Sequence, residues 1–174
     1  MRWLVDGYNV IRRSPDLASH EGESLDAGRE ALCRLLAAVA RASGDRFTVV
    51  FDGAQGGGTG SGEAGVQIVF SSARETADRV LARMARSHGG AVVSNDREVL
   101  QAASRAGAIA VRADQFLARL AARRASEREI LEKDEDDERP AASKKGNPRR
   151  LPRKARAAAR ALGRLGGIPR RPAS

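Results

Sequence analysis

The chain's 174 residues suit one globular domain of ordinary size plus an appendage, and 41% hydrophobic residues are enough for a single core. No apolar run approaches the roughly 18 residues of a membrane span, and the charged start Met1-Arg2-Trp3-Leu4-Val5-Asp6 predicts no signal peptide. The single cysteine, Cys33, excludes a disulfide framework or a cysteine-based zinc cluster, so a reducing cytoplasm is the expected location.

In chain order, Trp3-Leu4-Val5 reads as a short strand ending in the turn dipeptide Asp6-Gly7. Ser24 to Ser43 reads as a helix, with Leu25, Leu32, Leu35, Leu36 and Val39 on one face. Phe47 to Phe51 is a β-branched and aromatic strand closed by Asp52-Gly53. The Gly-rich stretch Gln55 to Gly65 predicts a mobile loop, and Val66 to Phe70 the next strand. A helix is expected from about Arg74 to Ser87, with Val80, Leu81 and Met84 inward. Ala91 to Ser94 reads as a strand, Asp96 to Arg105 as a helix, Ala108 to Val111 as the last strand and Ala113 to Ala122 as a helix. Strand-then-helix alternation with apolar strands predicts an α/β fold, a three-layer α/β/α sandwich around a mostly parallel sheet. The composition divides the chain into a domain over 1–122, a charged helical linker over 123–138 and a basic tail over 139–174.

That tail is where the net charge of +9 resides. From Arg139 onward there are 12 of the 31 Lys/Arg and no acidic residue, which leaves the rest of the chain mildly acidic. The split points to a polyanion partner, nucleic acid first and an acidic membrane surface second.

Three acids follow strands: Asp6 the first, Asp52 the second, and Asp96 the strand ending at Ser94. In a parallel sheet all strand C-termini share one edge, so topology alone brings these carboxylates to one rim. Glu75 and Asp78, three apart on the expected helix, would share a face and could add two more. Converging carboxylates repel, and a hard divalent cation such as Mg²⁺ or Mn²⁺ relieves that repulsion. The two histidines, His20 and His88, lie outside these motifs, which argues against a zinc site. Each acid also has a plain structural reading. Asp6-Gly7 and Asp52-Gly53 are common turn formers. Ser72 to Glu75 fits a capping box, and so does Asn95 to Glu98. Asp78 is the hardest to explain by capping, and the joint occurrence favours a site.

Val5-Asp6-Gly7-Tyr8-Asn9-Val10-Ile11, Val50-Phe51-Asp52-Gly53, Glu75-Thr76-Ala77-Asp78 and Ser94-Asn95-Asp96-Arg97 occur in that order. Over about residues 3 to 120 the chain therefore resembles the NYN domain of the YacP-like branch, a relative of PIN and 5′-nuclease (FLAP-type) domains. The resemblance implies a PIN-like sheet and a metal-dependent endoribonuclease using Mg²⁺ or Mn²⁺. It implies that Asp6, Asp78 and Asp96 are the core metal-binding acids, that Asn9 orients a water or phosphate, and that Asp52 and Glu75 support them. Asn95 stands where a small hydroxyl residue is more usual.

The tail has no aromatic residue, so its expected mode is phosphate contact, without base stacking. Lys144, Lys145, Arg149, Arg150, Arg153, Lys154, Arg156 and Arg160 are its candidate RNA contacts, and Arg153 to Leu165 could form a basic helix on RNA, ribosomal RNA included. The rival from another class is a non-catalytic RNA-binding module on the same fold. A haloacid-dehalogenase-type phosphatase would need a second Asp where Tyr8 stands, and a dinucleotide-binding fold would need a Gly-x-Gly-x-x-Gly turn that is missing.

Overall fold

The computed structural model describes residues 1–53, 58–63, 65–133 and 152–165, without the side chains of 58–61 and 128–133. Its elements are β1 (Arg2–Asp6), α1 (Gly7–Ile11), α2 (Pro15–Glu23), α3 (Leu25–Ser43), β2 (Arg46–Phe51), β3 (Gly58–Ser61), β4 (Val66–Phe70), α4 (Ala77–His88), β5 (Ala91–Ser94), α5 (Arg97–Arg105), β6 (Ile109–Arg112), α6 (Ala113–Lys133) and α7 (Arg153–Leu165). One six-stranded sheet runs β3-β4-β2-β1-β5-β6. Its β4, β2, β1, β5 and β6 are mutually parallel, while β3 pairs antiparallel with β4 at one edge.

Alternation along each strand divides the core between the two faces. Trp3, Val5, Phe47, Val49, Phe51 and Val93 pack with Leu32 and Leu36 of α3 and Phe116 of α6. Leu4, Val50 and Val92 point the other way, onto Val80 and Leu81 of α4 and Val99 of α5. The expected three-layer α/β/α sandwich is therefore the observed fold. Gly7 lets α1 begin directly over the sheet, because a Cβ there would sit 2.3 Å from Phe51 Cε1.

Four details differ from the sequence reading. First, residues 7–11 and 15–23 form two short helices that the long apolar periodicities did not predict. Second, part of the expected Gly-rich loop is the edge strand β3, where ladder hydrogen bonds to β4 outweigh glycine's weak strand preference. Third, α4 starts at Ala77 with Thr76 as its N-cap, since Ser72 and Glu75 bridge each other in a turn ahead of it. Fourth, α6 continues from the last strand to Lys133.

The core also extends past residue 122. Ala158, Ala161 and Leu165 of α7 are buried in the larger cluster, and Leu165 is fully inaccessible. Two arginines of α6 hold the C-terminal end of α7. Arg119 Nε donates to Leu162 O at 3.0 Å, and buried Arg123 donates from Nη1 to Leu165 O at 2.7 Å. Cations placed on the last carbonyls of a helix satisfy orphan acceptors and complement its dipole. Residues 153–165 therefore form a docked helix whose alanine face is buried, while Arg153, Lys154, Arg156, Arg160 and Arg164 are exposed. Lys144, Lys145, Arg149 and Arg150 lie outside the described residues.

Leu165→Ala is expected to cost about 2–4 kcal/mol of stability in urea unfolding. An unchanged midpoint would mean that α7 adds nothing to the core.

Candidate active site

The C-terminal ends of β1, β2 and β5 lie on one edge of the sheet, and the acids that follow them come together there. A cleft of about 400 Å³ is lined by Asp6, Tyr8, Asn9, Arg12, Arg13, Asp52, Ala77, Asp78 and Asp96. Five of the six residues expected at the site are thus in one cleft.

Asp6 ends β1 and caps α1, its Oδ1 accepting from Asn9 N at 3.3 Å. Its other oxygen accepts from the fully buried Ser94 hydroxyl at 2.8 Å, and Ser94 Oγ in turn accepts from Asp96 N at 3.0 Å. Asp96 caps α5, accepting from Glu98 N at 2.6 Å and from Val99 N at 3.4 Å. The capping reading of Asp96 is therefore correct, and it coexists with a place in the cleft. Asn9 Oδ1 accepts from Asn95 N at 2.8 Å, which ties α1 to the β5–α5 junction and leaves the amide NH₂ as its donor end. Asp52 accepts from the buried Ser71 hydroxyl, which also accepts from Gly53 N. Asp78 lies in the first turn of α4, with no side-chain hydrogen bond among the described residues.

Glu75 is the exception. The turn that delays α4 leaves it outside the helix, so Glu75 and Asp78 do not share a helical face. Its carboxylate instead takes two hydrogen bonds from Arg83, each 3.0 Å, and that pairing lowers its pKa.

The electrostatics of the cleft are those of a crowded set of like charges. Burial raises the pKa of Asp6 above the ordinary 3.8; Asp78 and Asp96 add to the rise, while the bonds from Ser94 and Asn9 oppose it. Asp78 is likewise raised, by burial first and then by Asp96, Asp52 and Glu98. Such mutual repulsion is what a bound cation relieves. Apart from the Tyr8 hydroxyl, which accepts from Arg29, the side-chain oxygens of the lining belong to carboxylates and an amide, the set that hard divalent ions prefer. Buried Cys33 has a thiol pushed up to about 11, chiefly by burial, which makes it a poor nucleophile.

Sequence reasoning did not single out Ser94, Ser71, Glu98, Arg12 or Arg13. A serine ending an apolar strand was the available signal for Ser94, and the Arg12-Arg13 pair one turn past Asn9 was the signal for the cationic rim. Asn95 does more than fill a hydroxyl's position. Its Nδ2 donates to Asp114 at 2.8 Å and its Oδ1 accepts from Ala113 N at 3.1 Å, which joins the site to the start of α6.

Comparison with known proteins bears on the fold and the family. A stretch of 86 residues is 31% identical to YacP of Bacillus subtilis (strain 168), covering 48% of this chain and 51% of that protein, so the match spans about half of the relative's length. Two crystal structures of Rae1 (YacP) from Bacillus subtilis, one of them a mutant form, share the fold. The mutant superposes with a TM-score of 0.67 at 24% identity, covering 81% of this chain and 87% of that one. The other gives 0.63 at 26% identity, covering 78% and 83%. The profile of the YacP-like NYN domain matches residues 3–156, a span that includes the acidic cleft and the first turn of α7. The chain therefore belongs to the YacP-like NYN domain family, whose fold is a nuclease-type domain.

Proposed function

We propose that this protein is a metal-dependent endoribonuclease that hydrolyses RNA phosphodiester bonds at the acidic cleft. The observation that carries the reading is the gathering of Asp6, Asp52, Asp78, Asp96 and Asn9 in one cleft rimmed by Arg12 and Arg13. Asp6, Asp78 and Asp96 would hold Mg²⁺ or Mn²⁺, with Asp52 in support. When bound, such an ion supplies a Lewis acid for the phosphoryl oxygen and lowers the pKa of water.

The chain's own groups have distinct tasks. Ser94 and the Asn9 N–H fix the Asp6 carboxylate, so it need not reorganise when charge develops on the phosphate. The Asn9 amide offers a donor to a phosphate oxygen, and Arg12 and Arg13 offset the charge of the flanking phosphates. Contacts from α7 through Arg153, Lys154, Arg156 and Arg160, and from Lys144, Lys145, Arg149 and Arg150, would add sequence-independent affinity for RNA, ribosomal RNA included.

A second reading, a non-catalytic RNA-binding module, draws on the spacing of the acids. Among the described residues, no three His, Cys, Asp or Glu side chains are grouped closely enough to enclose an ion alone. Mg²⁺ commonly takes only one or two carboxylates and completes its shell with water and substrate phosphate, which favours the first reading.

Cleavage of a labelled mixed RNA, assayed with Mn²⁺ or Mg²⁺ and with EDTA, separates the two. Asp96→Asn, which retains a capping oxygen, is expected to lose at least about a hundredfold in rate, in keeping with the scale of electrostatic contributions. Glu75→Gln is expected to stay within a few-fold of the parent. Tight RNA binding without cleavage under either metal would favour the binding module.

A second prediction concerns pH. Because folding raises the Asp6 pKa above 3.8, the folded state is favoured while this group is protonated, and that contribution is lost as pH rises through the raised value. In EDTA, Asp6→Asn should therefore melt at a higher temperature than the parent at pH 8. The gain should fade as pH falls towards 3.8. Equal melting at pH 8 would refute the crowding of charge.

A further inference from the structure

A second concavity, of about 510 Å³, opens on the other side of the segment that carries Asp96. Its walls are α5, β6 and the start of α7, and its lining includes Asn95, Arg97, Gln101, Arg105, Arg112 and Lys154. No acidic side chain lines it. Asp96 belongs to the cleft while its neighbours Asn95 and Arg97 belong to the groove, so the two share one wall.

The helical period of α5 accounts for the division. Val99 and Ala103 turn inward, and Arg97, Gln101, Ser104 and Arg105 recur at the spacing of one outer face. Glu98 lies on the cleft side, where its charge reaches Asp78. Arg112 is paired with Asp114 at 3.1 Å. Arg97, Arg105 and Lys154 are exposed and make no ion pair with any described residue. Lys154 comes from the first turn of α7, which also brings the positive end of that helix's dipole to the groove.

We propose that this groove seats the phosphodiester backbone of the polynucleotide strand on one side of the bond held at the acidic cleft. The inference rests on the nuclease reading and adds the path of the substrate. Unpaired cations at a surface with no aromatic group in its lining suit phosphate oxygens rather than stacked bases. The nine residues of α5 extend about 13 Å, the length of about four nucleotides of a stacked strand. A strand leaving a cluster of carboxylates is repelled by them, and beyond Arg12 and Arg13 at the rim of the cleft the groove offers it three exposed cations without an ion pair among the described residues.

The test is binding of a labelled oligouridylate long enough to span cleft and groove, measured by anisotropy in EDTA over a range of salt. The groove variant is Arg97→Gln/Arg105→Gln/Lys154→Gln. A control, Arg34→Gln/Arg86→Gln/Arg124→Gln, removes the same charge from exposed residues that do not line the groove. Melting temperatures verify that both fold. The groove variant should bind about tenfold or more weakly, and the slope of log affinity against log salt should fall by about 2. The control should remain near the parent in affinity and slope. Equal weakening in the control, or parental binding by the groove variant, would overturn the groove and leave the cleft reading standing. A parent protein that binds no RNA in EDTA would likewise overturn the groove, while absence of cleavage with Mg²⁺ or Mn²⁺ is what would overturn the nuclease reading. A deoxythymidine strand should be affected as much as the ribose strand, and a loss confined to RNA would refute recognition of phosphate alone.

Discussion

The site depends on one buried hydroxyl. Ser94 has no exposed surface, so its oxygen must find partners within the protein or incur the cost of an unsatisfied polar group. It donates its single proton to Asp6 and accepts from the Asp96 N–H, which fixes the direction of both bonds. Two acids far apart in sequence are thereby set by the same atom. The adjoining Asn95 extends the arrangement with bonds to Asn9, Asp114 and Ala113. Ser94-Asn95-Asp96 is therefore the junction at which β1, α1, α5 and α6 agree on a geometry.

Beneath that junction, α1 rests on a cation held among aromatic rings. The Arg29 guanidinium lies 5.3 Å from the centre of Phe70, 5.5 Å from Tyr8 and 5.7 Å from Phe51, and its Nε donates to Tyr8 OH at 2.9 Å. Such contacts are individually modest, on the order of 0.5–2 kcal/mol. Together with Gly7's close approach to Phe51, they hold the helix that carries Asn9 and leads into Arg12 and Arg13. Asp6, Asp52 and Asp96 thus lie at or just past strand ends, Asp78 sits on α4, and the rim cations follow a short helix supported from α3.

The parts legible in the sequence were those that follow from topology. Asp6, Asp52 and Asp96 could be placed on one edge because parallel strands must end on the same side. Asp78 could be linked to them because it lies near the start of the expected helix; that reading set it just past the first turn, and the later start at Ala77 sets it within the first turn. Glu75 was misplaced because Ser72 and Thr76 are both competent N-caps, and only the Ser72–Glu75 bridge decides between them. The basic extension was read as separate because a docked helix and a solvated one can share an Ala/Arg composition. What distinguishes them is the grip of Arg119 and Arg123, which no local pattern reveals. The edge strand β3 escaped notice for a related reason, since its pairing is specified by the partner β4 more than by its own residues.

The grip of α6 on α7 also orders the molecule in time. The acidic cleft is complete once the chain has been made as far as Asp96, and its sheet once β6 has followed. Leu165 reaches the core only after the chain has crossed the long connection from α6, and loop closure over such a span carries an entropic cost that local contacts do not. A domain emerging from its N-terminus can therefore assemble its carboxylates first and close the hydrophobic face beneath α7 last. The wall bearing Lys154 belongs to that final step, so the cationic side of the molecule matures later than the anionic one.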